Sequence, residues 1–377
     1  MEPMRALLRK IRKLRFRYEP LIAISVRRRA ILHNLGQFQK TAPSLAVAPV
    51  LKSNAYGHGM VEVAGVLDGE GLPFFCIDSY VEALILRNEG IRTPLLILGY
   101  TSLGNLAGNR LKDISFGITS LEELRRLCRE NRRPVAIHLK IDTGMHRQGI
   151  MPGELPEALR ALGENRKVAL EGVYSHLADA DAENPGPTEA QIAQWNDAVA
   201  YIKDIFPSAR YFHLGNTAGA RYAARINANM MRLGIGLYGI GPDLMPALSM
   251  AARITSLRTL GPGEKIGYNG TFTAKKRMVV ATIPVGYAEG IDRRLSNVGA
   301  VTVGDVRCPI VGRVSMDITS IDVSLVKNPR LDDEVLVISA DPEAPNSIAR
   351  MADACGAIPY ELLVHLPAQL RRKVIEG

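Results

Sequence analysis

The sequence contains no unbroken apolar run close to about 18 residues, the length that a membrane-spanning helix needs. Cysteine is scarce, and its four positions are far apart with no Cys-x-x-Cys pair: Cys76, Cys128, Cys308 and Cys355. That spacing favours reduced thiols in a cytoplasmic protein over a disulfide framework or a zinc site. No secretory signal is expected, since no apolar core of about 7–15 residues follows the N-terminal charges.

The overall composition is that of a globular protein, with 47% hydrophobic and 23% charged residues. At roughly 150 residues per domain, the 377 residues predict two or three domains. The net charge is +9, but residues 1–20 hold seven of the 47 Lys and Arg and only two of the 38 Asp and Glu. The remainder is mildly basic, which suits a small anionic ligand and gives no reason to expect nucleic acid.

The first twenty residues form a segment of their own. Apolar side chains recur there at helical spacing, at Met4, Leu7, Leu8, Ile11 and Leu14. Basic residues fill most of the positions between them. The pattern predicts a basic amphipathic helix of the kind that touches anionic membranes or partners. An extension that frays or packs on a neighbouring surface is favoured over membrane contact.

Beyond this segment, apolar runs alternate with helical stretches such as 79–89 and 120–130. The runs lie at 45–52, 74–78, 95–99, 114–118, 135–141, 172–176, 211–215 and 231–239. Eight strands alternating with helices over about 200 residues predict an α/β fold, a (β/α)₈ TIM-type barrel. An open doubly wound sheet is the competing layout, but the Gly-x-Gly-x-x-Gly fingerprint is absent after the first run.

The pattern changes near Pro246, where short β-rich runs separated by turn signals begin. These runs lie at 252–258, 278–284, 300–303, 308–314, 318–323 and 334–338, with one helical stretch at 347–355. A mostly β C-terminal domain is therefore expected after the barrel. The predicted organisation is an extension at 1–20, an N-terminal strand and barrel at 21–246, and a C-terminal β domain at 247–377.

Active sites of such barrels lie at the C-terminal ends of the strands. The first run ends in Lys52, where a lysine is costly unless it is exposed at the barrel mouth or has a function. Burial would lower the pKa of this amine and make it more nucleophilic. Considered without the other residues, Lys52 is more simply interpreted as a lysine on the barrel rim that is paired with a carboxylate. The sixth run ends in His176, and the eighth carries Arg232.

Hydroxyl and backbone donors follow the last two runs, at Asn216, Thr217 and beyond. Barrels often hold a phosphate at this place. A lysine opposite a phosphate cradle suggests pyridoxal 5′-phosphate (PLP) as cofactor. His138 and His213 lie within strands, which favours ordinary core histidines.

Short motifs with characteristic spacing run along the whole body of the sequence. The most specific is Lys-Ser-Asn-Ala-Tyr-Gly-His-Gly at 52–59, and the others lie at 140–147, 175–178, 215–217, 232–239, 266–268, 285–290, 312–317 and 359–361. In this order and spacing they resemble the bacterial alanine racemases, PLP enzymes with an N-terminal barrel and a C-terminal β domain. The resemblance covers residues 21–372 and includes Ser53 where the family usually has Ala.

The resemblance implies a role for each matching residue. Lys52 resembles the lysine that holds PLP and acts as one base, and Tyr268 resembles the second base, supplied by the other subunit. The implied cofactor contacts are Lys52, Tyr56, His176, Asn216, Thr217, Arg232, Gly234, Ile235 and Tyr360. The implied substrate contacts are Arg147 and the backbone of Met316. The match also extends to an entry passage at Tyr287, Arg293, Arg313 and Asp317, and to Lys140, which is carbamylated in several members.

The implied reaction interconverts L- and D-alanine, in a cytoplasmic homodimer whose active sites are completed across the interface, for D-alanine biosynthesis. No metal is implied. A racemase removes Hα from one face and returns it to the other, which calls for two opposed acid–base groups. A tyrosine with an ordinary pKa of about 10 is a poor base, so His176 and Arg147 are expected to assist Tyr268. Arg232 has no acceptor, so the pyridine nitrogen facing it is expected to stay largely unprotonated.

Departures from the family pattern leave the exact amino acid open. His146 replaces the usual Asn, Asn269 stands where Gly is usual, and Ser315 stands where Cys is common. The nearest alternative is therefore a broad-specificity amino-acid racemase on the same scaffold. A PLP-dependent decarboxylase and a non-catalytic PLP-binding protein are the more distant ones. The C-terminal Cys motif of the decarboxylase cannot be placed, and the C-terminal domain carrying Tyr268 argues against the non-catalytic protein.

Overall fold

A computed structural model describes residues 19–377. The predicted amphipathic helix falls on residues 1–18, outside the described residues, and it stays a prediction. The described chain divides into two compact units: a smaller one with residues 19–24 and Ser249–Ser339, and a larger one with Ser25–Leu248 and Ala340–Gly377. The domain boundary drawn from the sequence at 246/247 also stays a prediction. Within residues 19–377, no helix is long and apolar enough to cross a membrane.

After β1 (Ile22–Arg27), the larger unit contains eight parallel strands. They are β2 (Ala46–Pro49), β3 (Phe75–Ile77), β4 (Leu95–Ile97), β5 (Ile114–Ile118), β6 (Val135–Lys140), β7 (Val168–Tyr174), β8 (Tyr211–His213) and β9 (Met230–Leu233). Strands β3 to β8 pair in chain order, and β2 pairs with β9. A parallel bridge between Val50 and Cys76 joins β2 to β3. The Asn229 N–H donates to the Phe212 carbonyl at 3.1 Å and joins β9 to β8. The strands thus close into the predicted (β/α)₈ barrel.

Nine right-handed α-helices are described in the larger unit. They are α1 (Arg28–Thr41), α2 (Met60–Leu67), α3 (Tyr80–Asn88), α4 (Leu103–Ala107), α5 (Leu121–Glu130), α6 (Leu155–Gly163), α7 (Gly186–Ile205), α8 (Ile348–Cys355) and α9 (Pro359–Val364). Serine side chains cap the N-termini of α3, α4 and α5 by accepting from a backbone N–H of the first turn. Ser79 and Glu82 complete a capping box on α3. A last strand, β19 (Arg372–Ile375), lies near the C-terminus.

The smaller unit is mostly β, as predicted. Its strands are β10 (Leu248–Arg253), β11 (Ser256–Leu260), β12 (Lys265–Ile266), β13 (Phe272–Thr273), β14 (Met278–Ile283), β15 (Ala300–Val303), β16 (Val306–Pro309), β17 (Thr319–Asp322) and β18 (Glu334–Ile338). One sheet contains the order β16-β15-β18-β10-β1, a second has the order β11-β14-β17, and β12 and β13 form a hairpin. The run predicted at 252–258 therefore belongs to two strands in different sheets.

Asn34 on α1 is a buried polar side chain that joins two segments of the larger unit. Its Nδ2 donates to the carbonyls of Leu237 (3.1 Å) and Met245 (2.8 Å), and its Oδ1 accepts from the Met245 N–H (2.8 Å). The side chain is fully buried, so each of these bonds replaces a lost bond to water.

Asn34→Ala should lower the free energy of unfolding by about 2–3 kcal/mol, because it leaves a buried N–H and two carbonyls short of a partner. Chemical denaturation followed by circular dichroism measures the change. Gln39→Ala, at an exposed position of the same helix, is the matched control and should stay within about 0.5 kcal/mol of wild type. Equal denaturation midpoints for the two variants would contradict the role given to Asn34.

Candidate active site

A cavity of about 500 Å³ lies at the C-terminal ends of the barrel strands, within the size range of small-molecule sites. Ten of the twelve residues predicted as catalytic, cofactor-binding or substrate-binding line it: Lys52, Tyr56, Arg147, His176, Asn216, Thr217, Arg232, Gly234, Ile235 and Tyr360. The other two, Tyr268 and Met316, belong to the smaller unit and are 66% and 55% exposed. The residues of the predicted entry passage belong to that unit too.

The chain leaves β2 through a single helical turn, Lys52–Tyr56, that is left-handed. Four successive residues, Ser53, Asn54, Ala55 and Tyr56, have φ values of 54°, 54°, 52° and 51°. For L-residues other than glycine, this conformation costs about 1–2 kcal/mol per residue. Such strain persists where the surroundings determine the conformation, typically at functional sites.

Side chains from elsewhere in the barrel hold this turn in place. The Glu82 carboxylate accepts from the Ser53 N–H at 2.9 Å and from the Asp78 N–H at 2.6 Å. Asn54 Oδ1 accepts from the Met60 N–H at 2.9 Å, which connects the turn to the start of α2. The capping-box glutamate of α3, Glu82, therefore also fixes the backbone next to Lys52.

Gly57 ends the turn and could not be replaced by another residue. Its φ is 79°, and a Cβ atom there would lie 1.9 Å from the carbonyl oxygen of Leu363. The buried Arg372 donates to the Gly57 carbonyl through Nε at 3.1 Å and Nη2 at 2.9 Å. The position of Lys52 thus depends on contacts with distant parts of the sequence.

Asp78 is a site residue that the motifs did not single out. Its Oδ1 lies 3.9 Å from Lys52 Nζ, and it lines the cavity. Both side chains are partly exposed, so the pair contributes little to stability. The available signal was an aspartate at the end of the second apolar run, at the same barrel edge as Lys52.

Arg232 is the most deeply buried cation of the cavity, with 4% of its surface exposed. Nη1 donates to His213 Nδ1 (2.7 Å) and to the His213 carbonyl (2.8 Å). Nη2 donates to the carbonyls of Ser175 (2.6 Å) and Leu214 (3.2 Å) and approaches His176 Nδ1 at 3.3 Å. All five acceptors are neutral, and no carboxylate within residues 19–377 forms an ion pair with Arg232.

The electrostatics of the cavity set the protonation of two neighbouring rings. Burial, followed by the charges of Arg232 and Arg147, lowers the pKa of His176 to about 3, so this imidazole is neutral. Burial, followed by the nearby Tyr360, raises the pKa of Tyr56 to about 12, so this phenol is a hydrogen-bond donor. The expected assistance of His176 and Arg147 to Tyr268 stays a prediction, in which a neutral His176 would act through hydrogen bonding.

The loops after β8 and β9 form a small cradle on one side of the cavity. The strand predicted at 231–239 ends at Leu233, since the backbone turns at Gly234 (φ −94°, ψ −109°) into a 3₁₀ helix, Ile235–Tyr238. A Cβ on Gly234 would lie 3.0 Å from Tyr56 Oη. Thr217 Oγ1 accepts from the Gly236 N–H at 3.2 Å. Within residues 19–377, no group of three or more His, Cys, Asp or Glu side chains suits a metal ion.

Family models match nearly the whole chain. The model described as alanine racemase, N-terminal domain, matches residues 26–242, and the model of the C-terminal domain matches residues 247–374. The chain belongs to the alanine racemase family. The resemblance inferred from the sequence motifs is thereby confirmed, and so is the expected architecture of a barrel followed by a mostly β region.

Individual relatives agree with this family. The alanine racemase of Sorangium cellulosum is 35% identical over 340 residues, which are 86% of this chain and 90% of that protein. The alanine racemase of Lactobacillus acidophilus is 34% identical over 375 residues, which are 94% and 98% of the two chains. The crystal structure of alanine racemase from E. faecalis has a TM-score of 0.87 at 29% identity, covering 95% of this chain and 99% of that one. A histidine racemase from Leuconostoc mesenteroides also matches, with a TM-score of 0.86 at 25% identity, covering 95% and 98%.

Lys140, at the end of β6, gives a test of the cavity's electrostatics. Burial, followed by the charges of Arg147 and Arg232, lowers its pKa to about 8. Arg147→Gln removes one of these cations and should raise the pKa of Lys140, since the ammonium form is then less disfavoured. A pH titration of ¹³C-dimethylated lysines by NMR measures the shift. Arg125→Gln, on the exposed face of α5, is the control. An unchanged Lys140 midpoint in Arg147→Gln would contradict this assignment.

Proposed function

We propose that this member of the family is a PLP-dependent alanine racemase in which Lys52 and Tyr268 exchange a proton at Cα from opposite faces. The observation that carries the proposal is the pairing of Lys52 with Arg232 in one cavity. Lys52 offers an amine at the end of β2. Arg232, at the end of β9, offers a buried guanidinium whose contacts are all neutral acceptors.

The residues present fit PLP. The cradle of Thr217, Gly234 and Ile235 supplies backbone and hydroxyl donors for the phosphate, and Tyr56 adds a phenol that is protonated at neutral pH. The tight approach of Gly234 to Tyr56 leaves no room for a side chain there. When bound, PLP supplies the electron sink that makes the Cα hydrogen of an amino acid acidic.

The side chains that move and place the proton differ in their surroundings. The Lys52 amine, held by the strained turn, takes or returns the proton at Cα on one face. The Tyr268 phenol, on the 3₁₀ turn Tyr268–Gly270 between β12 and β13, does so on the other face. Its 66% exposure supports contribution to the site of the partner subunit of a homodimer. Arg147 and the Met316 backbone bind the substrate carboxylate.

Alanine is the substrate that the relatives support. Proteins named alanine racemase are 32–35% identical to this chain over most of its length. The match to a histidine racemase at 25% identity shows that a similar fold is compatible with a larger side chain. The four free cysteines of the described chain are consistent with a cytoplasmic location.

The purified protein with PLP should convert L-alanine to D-alanine, as measured by chiral chromatography. L-histidine and other single L-amino acids, tested in parallel, should be converted much more slowly. Reduction with sodium borohydride should attach the pyridoxyl group permanently to Lys52, as located by peptide mapping. Lys52→Ala should lower the rate of racemisation by more than about 10³-fold, or about 4 kcal/mol. A pyridoxyl group on Lys140, or no D-alanine at all, would contradict the proposal.

Complementation tests the two-subunit site. Lys52→Ala and Tyr268→Phe homodimers should each be nearly inactive, but mixing them should restore activity, because one of the two hybrid sites then has both bases. Mass spectrometry confirms that subunits have exchanged. Tyr201→Phe, at an exposed tyrosine on α7, is the control that should keep activity without mixing. Exchange without any recovery would show that Tyr268 does not act across the interface.

A further inference from the structure

A row of buried titratable side chains extends from Arg232 through the interior of the barrel. His213 Nε2 lies 2.8 Å from His138 Nδ1, and His138 Nε2 lies 3.7 Å from a carboxylate oxygen of Glu171. Both imidazoles are fully buried. Glu171, on β7, also accepts from Ser115 and pairs with Arg210. The row therefore begins at the cavity and ends at a carboxylate that no step of the proposed reaction uses.

The direction of hydrogen bonding along this row follows from the chemistry of its first member. A guanidinium has only donors, so His213 Nδ1, 2.7 Å from Arg232 Nη1, has to be unprotonated. A neutral imidazole carries its proton on the other nitrogen, so His213 Nε2 donates to His138 Nδ1. His138 then carries its own proton on Nε2, which faces Glu171. Each proton position is thus determined by the one before it.

The surroundings keep these rings neutral and fixed. Burial, followed by the charge of Arg232, lowers the pKa of His213 well below its usual value, and burial also lowers the pKa of His138. Burial opposes ionisation of Glu171, but the contacts from His138 and Ser115 outweigh it and bring its pKa to about 2. The His213 ring stacks on Tyr174 at 5.3 Å and 6°, and the His138 ring packs edge-on to Phe74 at 5.3 Å.

We propose that His213 and His138 are positioning residues. They form a row with one direction of hydrogen bonding, which ends at His138 Nε2, 3.7 Å from the Glu171 carboxylate, and which holds Arg232 as a donor aimed at the cavity. A carboxylate in direct contact would neutralise the guanidinium, whereas a neutral imidazole orients it and leaves its charge uncompensated. The proton order stands on geometry alone. The consequence for the cofactor rests on the proposed function, because it concerns the group that Arg232 faces.

The proton order can be read directly from the full-length protein labelled with ¹⁵N-histidine. Long-range ¹H–¹⁵N spectra at pH 8, with and without PLP, distinguish a bare from a protonated ring nitrogen, and single His→Gln variants assign the seven histidines. His213 and His138 should each have a bare Nδ1 and a protonated Nε2. His58 is the internal control of opposite order: it is buried, and its Nδ1 lies 2.9 Å from the Tyr56 carbonyl, so that nitrogen carries the proton. A protonated Nδ1 or a charged ring at His213 would overturn the proposal.

Two substitutions at His213 separate hydrogen bonding from packing. His213→Gln keeps an acceptor for Arg232 and a donor for His138, whereas His213→Phe keeps the volume and the stacking on Tyr174 but neither bond. We expect kcat/KM for alanine to fall more than about tenfold in His213→Phe and to stay within about threefold of wild type in His213→Gln. Equal losses in the two variants, or no loss in either, would overturn the positioning role. If the wild-type protein racemised no amino acid, the proposed function would fail, while the ¹⁵N spectra would still decide the proton order.

Discussion

A buried cation whose contacts are all neutral acceptors is the feature on which the rest of the site depends. Removing a guanidinium from water without a counter-charge is expensive, so its hydrogen bonds have to be complete. The Nη1 and Nη2 groups of Arg232 donate to the carbonyls of Ser175, His213 and Leu214, at the ends of β7 and β8, and to imidazole lone pairs. The ends of three neighbouring strands are thereby held together around one side chain. The hydrogen bonds of Arg232 therefore both hold the end of β8 against β9 and orient the guanidinium at the cavity.

The part of the cavity wall that carries Lys52 is held by a strained backbone turn and not by a buried charge. The turn that carries Lys52 keeps four successive residues in a left-handed conformation. Glu82 compensates part of this cost through the Ser53 N–H, and Gly57 accepts the close approach of the Leu363 carbonyl. The amine is consequently placed by backbone geometry, while its partner Arg232 is placed by side-chain hydrogen bonds. The backbone that carries Lys52 and the guanidinium of Arg232 are thus each held by contacts within the protein.

Much of this architecture could be predicted because it depends on local patterns. The run at 114–118 coincides with β5, since buried parallel strands are continuously apolar. The run at 172–176 began too late, because Glu171 interrupts the apolar pattern of β7, which starts at Val168. Strand ends and family motifs together identified ten of the residues that line the cavity. The family match supplied Tyr268 and Met316, which no local pattern distinguishes.

Features that depend on distant contacts could not be predicted. The sequence Ser-Asn-Ala-Tyr does not by itself indicate a left-handed turn. The conformational cost of this turn is offset by contacts with Glu82 and Arg372, which are distant in the sequence. His138 and His213 were interpreted as core histidines, and they are buried. Their connection to Arg232 emerges only when β6, β8 and β9 lie side by side. The end of the second apolar run placed Asp78 at the same barrel edge as Lys52, but its contact with Lys52 depends on the bridge between β2 and β3.

We propose that Arg232 faces the pyridine nitrogen of PLP as a hydrogen-bond donor, with no carboxylate beside it to neutralise its charge. ¹⁵N NMR of PLP labelled at the pyridine nitrogen and bound to the enzyme tests it most directly. We expect the chemical shift of an unprotonated, hydrogen-bonded pyridine from pH 6 to 9, because a guanidinium offers that nitrogen a hydrogen bond and no negative charge. The chemical shift of a pyridinium in this pH range would contradict this role of Arg232.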